Sequence, residues 1–140
     1  MNKSMGFTLI EIMIAVVVVA ILTVVALPIY NGFVLQSHRS VAINAILDLA
    51  SREARYFTTN NAYTNDMTKL GYAASPQPVP NSSDHYYDLS VSSPATATTS
   101  FSLKAVPAGN QANDSCGNYT YSDLGIKGIS SGTVHDCWKQ

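Results

Sequence analysis

One acidic side chain stands at the start of the longest apolar stretch of this chain. Glu11 is the only formally charged residue between Lys3 and Arg39, and an apolar run over residues 12–35 follows it directly. As a helix with a rise of about 1.5 Å per residue, this run is long enough to cross a bilayer core of roughly 30 Å. A carboxylate in hydrocarbon costs on the order of 2.5–3.5 kcal/mol on insertion scales, so an acid here is a candidate functional group. The alternative is that Glu11 lies at the membrane interface and reaches the headgroups.

A short motif opens this stretch. Residues 6–11 read Gly-Phe-Thr-Leu-Ile-Glu, after a short basic segment and before the long apolar helix. The motif resembles the prepilin cleavage and methylation motif of type IV pilins and type II secretion pseudopilins. The resemblance implies that residues 1–6 are a leader peptide, residues 7–35 a transmembrane and filament-core helix, and residues 36–140 a globular head.

The same resemblance implies roles for three residues. A membrane peptidase would cut between Gly6 and Phe7 and then methylate the new amino terminus on Phe7. Glu11 would become the fifth residue of the mature chain and would pair with the Phe7 amine of a neighbouring subunit during assembly. The physics is consistent with this role, because two charges that are each costly in lipid become tolerable when they meet.

Pro28 interrupts the apolar helix. Inside a helix, proline removes one backbone hydrogen bond and clashes with the carbonyl four residues earlier. In a monomer we expect only a bend, because the surrounding sequence is strongly helical. Pilins commonly carry a proline at this depth, and the segment before it can lose helical order in filaments. The resemblance therefore makes Pro28 the expected position of a helix break after assembly.

The two cysteines bear on the compartment of the head. Cys116 and Cys137 are the only cysteines of the chain, and both follow the apolar helix. A disulfide between them requires an oxidising compartment such as the periplasm and would stabilise by roughly 3 kcal/mol in the chain-entropy model. The alternative is a pair of buried free thiols. Trp138 is most simply a packing anchor beside the bridge.

The C-terminal tail carries a second, looser resemblance. A Cys-Gly opening at residues 116–117, a Gly-x-Lys-Gly turn at 125–128 and a Cys-Trp ending at 137–138 are similar to PilE-like and ComP-type minor pilins. ComP-type relatives bind DNA during natural transformation. The resemblance makes Lys104, Lys127 and Lys139 candidate DNA contacts. The charge balance weighs against this, because four lysines face six aspartates from residue 60 onward and such a head has no broad basic face.

Enzymatic and metal sites are not predicted. His38, His85 and His135 are scattered, and none has a second ligand at a recognised metal-binding spacing. The serines lack a nucleophile-elbow context. Sequons begin at Asn81 and Asn118, but glycosylation is not the favoured interpretation. We therefore expect no catalytic residue, no metal and no cofactor.

The elements that position these residues follow from hydrophobic periodicity. One helix is predicted over residues 7–59, apolar all round in its first half and amphipathic in its second. The predicted buried stripe of the second half consists of Ile43, Leu47, Ala50, Ala54 and Phe57. A connection at residues 61–85 follows, with one helical turn that residues 64–66 cap and that stops at Gly71, and three prolines that enforce an extended path.

Three strands are predicted after this connection. Residues 86–91, 101–106 and 119–122 alternate between apolar and polar side chains, the pattern of half-buried antiparallel strands. Turns are predicted at 123–125 and 127–128, and most tyrosines are assigned to the helix–sheet interface. The predicted fold class is α+β, with a long N-terminal helix packed on an antiparallel sheet of about four strands and a disulfide-bounded C-terminal loop.

These observations predict a structural subunit of a type IV pilus, with a minor pilin favoured. The expected partners are other pilin subunits, the prepilin peptidase, the pilus assembly machinery and the inner membrane. The head would face the periplasm before assembly, and the filament would lie on the cell surface afterwards. Two alternatives stay open: a pilus-associated DNA receptor and a type II secretion pseudopilin.

Overall fold

The computed structural model describes residues 7–92 and 99–139. A long helix, α1 (Leu9–Asn60), precedes a five-stranded antiparallel sheet and a one-turn helix, α2 (Val134–Cys137). The strands are β1 (Gln77–Pro80), β2 (His85–Val91), β3 (Ser102–Pro107), β4 (Tyr119–Ser122) and β5 (Lys127–Ile129). The prediction of an α+β fold, with one long helix and an antiparallel sheet, is confirmed.

The chain divides into two compact units, Met1–Val34 and Leu35–Gln140. The described part of the first unit is helical from Leu9, and the helix is continuous through Pro28. The predicted break at Pro28 concerns the assembled filament and stays a prediction. The predicted leader, residues 1–6, lies outside the described residues.

The second unit is built on a meander. The strand order β1-β2-β3-β4-β5 follows the chain, and every neighbouring pair is antiparallel. The register places Leu103 opposite Tyr121 and Ala105 opposite Tyr119, so these side chains share one face of the sheet. Lys104 lies opposite Thr120 on the other face.

Two strands were not predicted. β1 lies in the proline-rich connection, which the sequence indicated only as extended, and β5 lies where a turn was expected at residues 127–128. β1 is an edge strand of the described sheet, so the backbone N–H groups on its outer side have no partner strand. Proline, which lacks a backbone N–H, is therefore tolerated in it. β5 pairs with β4 around a hairpin that includes Gly125, whose φ of 74° suits glycine.

The core joins α1 to one face of the sheet. The alternating sets predicted in the strands are confirmed, because Tyr87, Leu89, Leu103, Ala105 and Tyr119 are all fully buried. Five further tyrosines, partly buried, pack against the same core, as predicted: Tyr56, Tyr63, Tyr72, Tyr86 and Tyr121.

The predicted helix stripe is wrong in two of its five members, while Ala50 and Phe57 are partly buried. Ile43 is buried, but Leu47 is 37% exposed and Ala54 is exposed. The residues of α1 that are buried are Ala42, Ile43, Ile46, Leu49 and Glu53. The buried face of α1 is shifted by roughly one residue toward the N-terminus relative to the predicted stripe, and its last buried residue is Glu53.

The single helical turn predicted in the connection is confirmed as a 3-10 helix, Met67–Leu70. The Asp66 side chain caps it by accepting a hydrogen bond from the Thr68 amide at 3.0 Å. Gly71 ends it with a φ of 83°, in the left-handed region that glycine adopts without strain. Met67 and Leu70 are buried, so this turn is part of the core.

Candidate functional site

The N-terminal end of α1 presents the two residues predicted to direct assembly. Phe7 is 78% exposed, and Glu11 is exposed in the first turn of the helix. Thr8 caps that turn, since its hydroxyl and its carbonyl both accept from the Glu11 amide, at 3.3 and 3.2 Å. The Glu11 carboxylate has no partner among residues 7–92 and 99–139. Gly6, the predicted cleavage residue, lies outside those ranges.

The first half of α1 exposes its apolar side chains on all sides. An 18-residue window of this helix is long and apolar enough to cross a membrane by length and composition, and none of that window is buried. Exposed side chains include Ile14, Val18, Leu22, Leu27 and Phe33, each 48% exposed or more. A helix that is apolar all round requires apolar surroundings.

The start of the head is fixed by a buried glutamine. Gln111 is 1% exposed, and its amide nitrogen donates to the Leu35 carbonyl at 3.2 Å and to the Tyr87 hydroxyl at 2.9 Å. The Gln111 oxygen can only accept, so His38 Nδ1 donates to it at 3.0 Å. The His38 ring also stacks on Tyr86, with centroids 3.6 Å apart. His38 therefore has a structural role.

An ion pair lies one residue further along α1. Arg39 Nε is 3.0 Å from each carboxylate oxygen of Asp114, and Arg39 Nη2 also donates to Asp114. The Asp114 side chain is 1% exposed and the Arg39 side chain 21%. The hydrogen bonds to Asp114 raise the pKa of Arg39 above its usual value. This pair joins α1 to the segment before Cys116.

The predicted disulfide is confirmed. Cys116 and Cys137 are bonded, with their Cα atoms 5.8 Å apart, and the bridge encloses β4 and β5. The Tyr119 hydroxyl donates to the Cys137 carbonyl at 3.0 Å. Trp138 is 7% exposed, packs edge-on against Tyr119 and donates from its indole to the Gly128 carbonyl at 3.2 Å. The tail is thus a packed part of the head. Trp138 is a packing anchor beside the disulfide, as predicted.

The three lysines named as candidate DNA contacts do not form one cluster. Lys104 lies on the face of β3 that points away from the core. Lys127 is opposite Tyr121 on the core side, and its ammonium lies 5.2 Å from the Trp138 ring centre. Lys139 pairs with Asp136 at 2.8 Å. Lys104 and Lys127 thus lie on opposite faces of the sheet, and Lys139 follows Trp138 in the chain.

Glu53 is a buried acid that the sequence did not single out. It is fully buried; one carboxylate oxygen accepts from the Thr64 amide at 3.2 Å, and the other has no partner among the described residues. Burial raises the pKa of Glu53 above its usual value. Its spacing of four residues from Leu49 was the signal available in the sequence, but a charged residue was not assigned to the buried face.

The structure forms no cluster of three or more metal-ligating side chains within the described residues. His85 lies 3.3 Å from Asp88, and His135 lies 3.4 Å from Asp136. Each of the three histidines thus has a separate polar neighbour, and they are not brought together.

Two family models match the chain. A model described as "Prokaryotic N-terminal methylation motif" matches residues 1–27. A model described as "Type IV minor pilin ComP, DNA uptake sequence receptor" matches residues 28–120, which is well over half of the chain.

Curated relatives match about half of this chain. Fimbrial protein EcpC of Eikenella corrodens is 35% identical over 69 residues, or 49% of this chain and 45% of that protein. Type IV major pilin protein PilE of Neisseria gonorrhoeae is 37% identical over 50% of this chain and 42% of that protein. Type IV major pilin protein PilA of Myxococcus xanthus is 31% identical over 51% and 32%. The chain therefore spans less than half the length of these relatives.

Solved structures share the fold. A type IV pilin from Shewanella oneidensis is 26% identical, with a TM-score of 0.52 over 76% of this chain and 99% of that one. The Neisseria meningitidis non-core minor pilin PilV is 19% identical, with a TM-score of 0.53 over 72% and 91%, and shows likeness of fold alone. With its N-terminal motif, its helix and sheet and its disulfide-bonded tail, the chain belongs to the type IV pilin family, in the group described as type IV minor pilin ComP.

Proposed function

We propose that this chain is a structural subunit of a type IV pilus, of the minor class. The observation that carries the proposal is the contrast along α1, whose first half exposes apolar side chains while its buried positions begin at Ala42. Lipid meets the need for apolar surroundings before assembly, and the same helices of neighbouring subunits meet it afterwards. Head-to-tail association of this kind does not close and therefore extends into a filament.

The precursor is held in the inner membrane by residues 7–35, with its head in the periplasm. This orientation is supported by the disulfide between Cys116 and Cys137, which needs an oxidising compartment. The prepilin peptidase cuts between Gly6 and Phe7 and methylates the Phe7 amine. The assembly machinery then transfers the subunit from the membrane to a filament on the cell surface.

Glu11 directs the transfer by pairing with the Phe7 amine of a neighbouring subunit. The exposed carboxylate and the short distance from Phe7 along the chain support this role. Two unit charges 4 Å apart attract by about 4 kcal/mol at an effective dielectric constant of 20, and by more in a drier environment. The pair therefore favours a fixed axial register of one helix against the next.

The test is incorporation of Glu11→Ala and Glu11→Gln into sheared filaments. Both variants should insert and be cleaved but enter filaments at least about tenfold less than the wild type, since every 1.4 kcal/mol changes an equilibrium about tenfold. Thr8→Ala alters the same helical turn without changing a charge and should assemble. Normal incorporation of either Glu11 variant would remove the pairing role. Gly6→Val should leave the full-length membrane form, and a mature product from that variant would contradict the cleavage site.

A second candidate function is a pilus-borne receptor for DNA. It is favoured by the description of the family model that matches residues 28–120, which names a DNA uptake sequence receptor. Lys104, Lys127 and Lys139 stay candidate contacts, although they lie in three different settings. The test is binding of labelled duplex DNA to the full chain in micelles of an uncharged detergent. Binding that weakens with salt supports the receptor, and absence of binding at low salt overturns it.

A further inference from the structure

An open basic groove lies between the last turns of α1 and the 3-10 helix Met67–Leu70. Its volume is about 290 Å³, and the residues that line it are Arg52, Arg55, Tyr56, Thr59, Lys69 and Leu70. The helix residues recur at spacings of three and four, so they share one face of α1. The lining contains three cations and no acid. None of these cations was among the DNA contacts predicted from sequence.

Arg52 is held in a fixed position in the groove. Its Nε donates to Asp48 at 2.8 Å, its Nη1 donates to the Leu70 carbonyl at 3.0 Å, and its guanidinium lies 4.7 Å from the Tyr72 ring centre. A guanidinium has five N–H donors. These contacts use two of the five and orient the plane of the group, so Arg52 presents preorganised donors.

Arg55 and Lys69 are the cations available to a ligand. Within residues 7–92 and 99–139, neither side chain forms an ion pair or a hydrogen bond, and both are exposed. Asp48 and Asp66 interact electrostatically with Arg55 and Lys69, respectively, but their carboxylates accept hydrogen bonds from other groups. Asp48 accepts from Arg52 and from the Tyr72 hydroxyl, and Asp66 accepts from the amide and hydroxyl of Thr68.

The concentration of charge is local. The sequence has seven lysines and arginines after residue 35 against eight acidic residues, so three of the seven cations line one acid-free groove of a slightly acidic head. The groove is open, whereas sites for small molecules usually enclose most of the ligand surface. An open, cationic groove with an aromatic side chain, Tyr56, suits a polymer with repeated anionic groups.

We infer that this groove binds the phosphodiester backbone of DNA, with Arg55 and Lys69 contacting phosphates and Arg52 positioned beside them. The inference rests on the DNA-receptor function proposed above and gives that function a location on the head. Contacts of this kind set affinity and register on the duplex, while sequence must be read by other residues.

The experiment measures binding of fluorescein-labelled duplex DNA to the full chain in uncharged detergent micelles, between 50 and 200 mM salt. Each phosphate contact contributes about −0.9 to the slope of log K against log salt. Arg55→Gln and Lys69→Gln should each reduce the slope by about 0.9, and the double variant by about 1.8. The affinity lost across this salt range should then be about tenfold smaller for the double variant than for the wild type.

The matched control is Ser82→Asp, which lowers the net charge by the same one unit at an exposed position between β1 and β2, outside the groove. It should change the slope less than either groove variant. All the side chains changed are on the surface, and unchanged thermal unfolding confirms that each variant is folded. Inorganic phosphate and heparin serve as competitors. At equal charge concentration, each should displace less of the labelled DNA than unlabelled duplex DNA does.

The outcomes separate the two proposals. Absence of DNA binding by the wild type overturns both the receptor and the groove. A salt slope that Arg55→Gln and Lys69→Gln change no more than Ser82→Asp does overturns the groove alone and leaves the receptor. Binding of heparin in preference to DNA overturns the nucleic acid as the ligand. Selective loss of slope in the two groove variants supports the inference.

Discussion

Arg39 should be among the most sensitive positions of the head, because its removal leaves a buried charge without a partner. The Asp114 carboxylate is 1% exposed and receives its charged hydrogen bonds from Arg39. Breaking a buried ion pair by removing one partner costs about 3–5 kcal/mol. Arg39→Gln should therefore lower the free energy of unfolding by at least about 3 kcal/mol, or about 12 °C or more in Tm for a domain of this size.

Asp114→Asn should cost less than Arg39→Gln. Asparagine keeps an acceptor for Arg39, and the Arg39 side chain, already 21% exposed, can extend to water. We expect a loss of about 1–2 kcal/mol for this variant. In the double variant no buried charge remains, so the combined loss should be smaller than the sum of the single losses by about 1 kcal/mol or more.

Trp138 provides the assay. It is the only tryptophan of the chain and is 7% exposed in the head, so its fluorescence reports unfolding of the head and not of the apolar helix. Denaturant titrations of the full chain in uncharged detergent micelles give the free energies for the four proteins of the cycle. An Arg39→Gln variant within 1 kcal/mol of the wild type, or strictly additive losses, would refute this account of the pair.

Three further predictions concern the same domain. Glu53→Gln should raise the free energy of unfolding at pH 7, because burial raises the folded-state pKa of Glu53 above its ordinary value of 4.5 and the ionised wild type is therefore destabilised there. By linkage, the wild type loses stability as pH rises above the unfolded-state pKa of Glu53. The free energy of unfolding of the variant should therefore depend less on pH. Parallel plots of stability against pH for the two proteins would contradict the role of burial. Replacing Cys116 and Cys137 together by serine should lower stability by about 3 kcal/mol, measured by thermal unfolding with reduced wild type as the comparison; an unchanged Tm would contradict it. Gly71→Ala should cost about 1 kcal/mol, since Gly71 has a φ of 83° and the added Cβ would lie 3.0 Å from Arg52 Nη1; a gain in Tm would show that the turn relaxes without strain.

Local patterns predicted the parts of the fold that depend on local physics. Alternation placed Tyr87, Leu89 and Leu103 correctly on the buried face, because a side-chain period of two is a property of the strand itself. The 3-10 turn followed from the capping ability of Asp66 and the left-handed preference of Gly71. The disulfide followed from the presence of only two cysteines and from resemblance to pilins.

The remainder depends on contacts between distant residues. The Arg39–Asp114 pair spans 75 residues, and the bonds that Gln111 makes to the start of the head span 73 and 76. No local pattern encodes such pairs. The buried face of α1 was misplaced because no charged residue was assigned to it, whereas Glu53 is buried with the Thr64 amide as its donor. The groove at Arg55 and Lys69 was missed for the same reason, since two elements separated in the chain form it.

The central claim is that the N-terminal helix carries this subunit from the membrane into a filament. The most direct measurement is mass spectrometry of sheared, washed pilus filaments from cells that express the wild-type chain. We predict that the chain is present in the filaments and that its first residue is Phe7 with a methylated amine. A chain confined to the membrane fraction, or one that enters filaments with residues 1–6 attached, would contradict the claim.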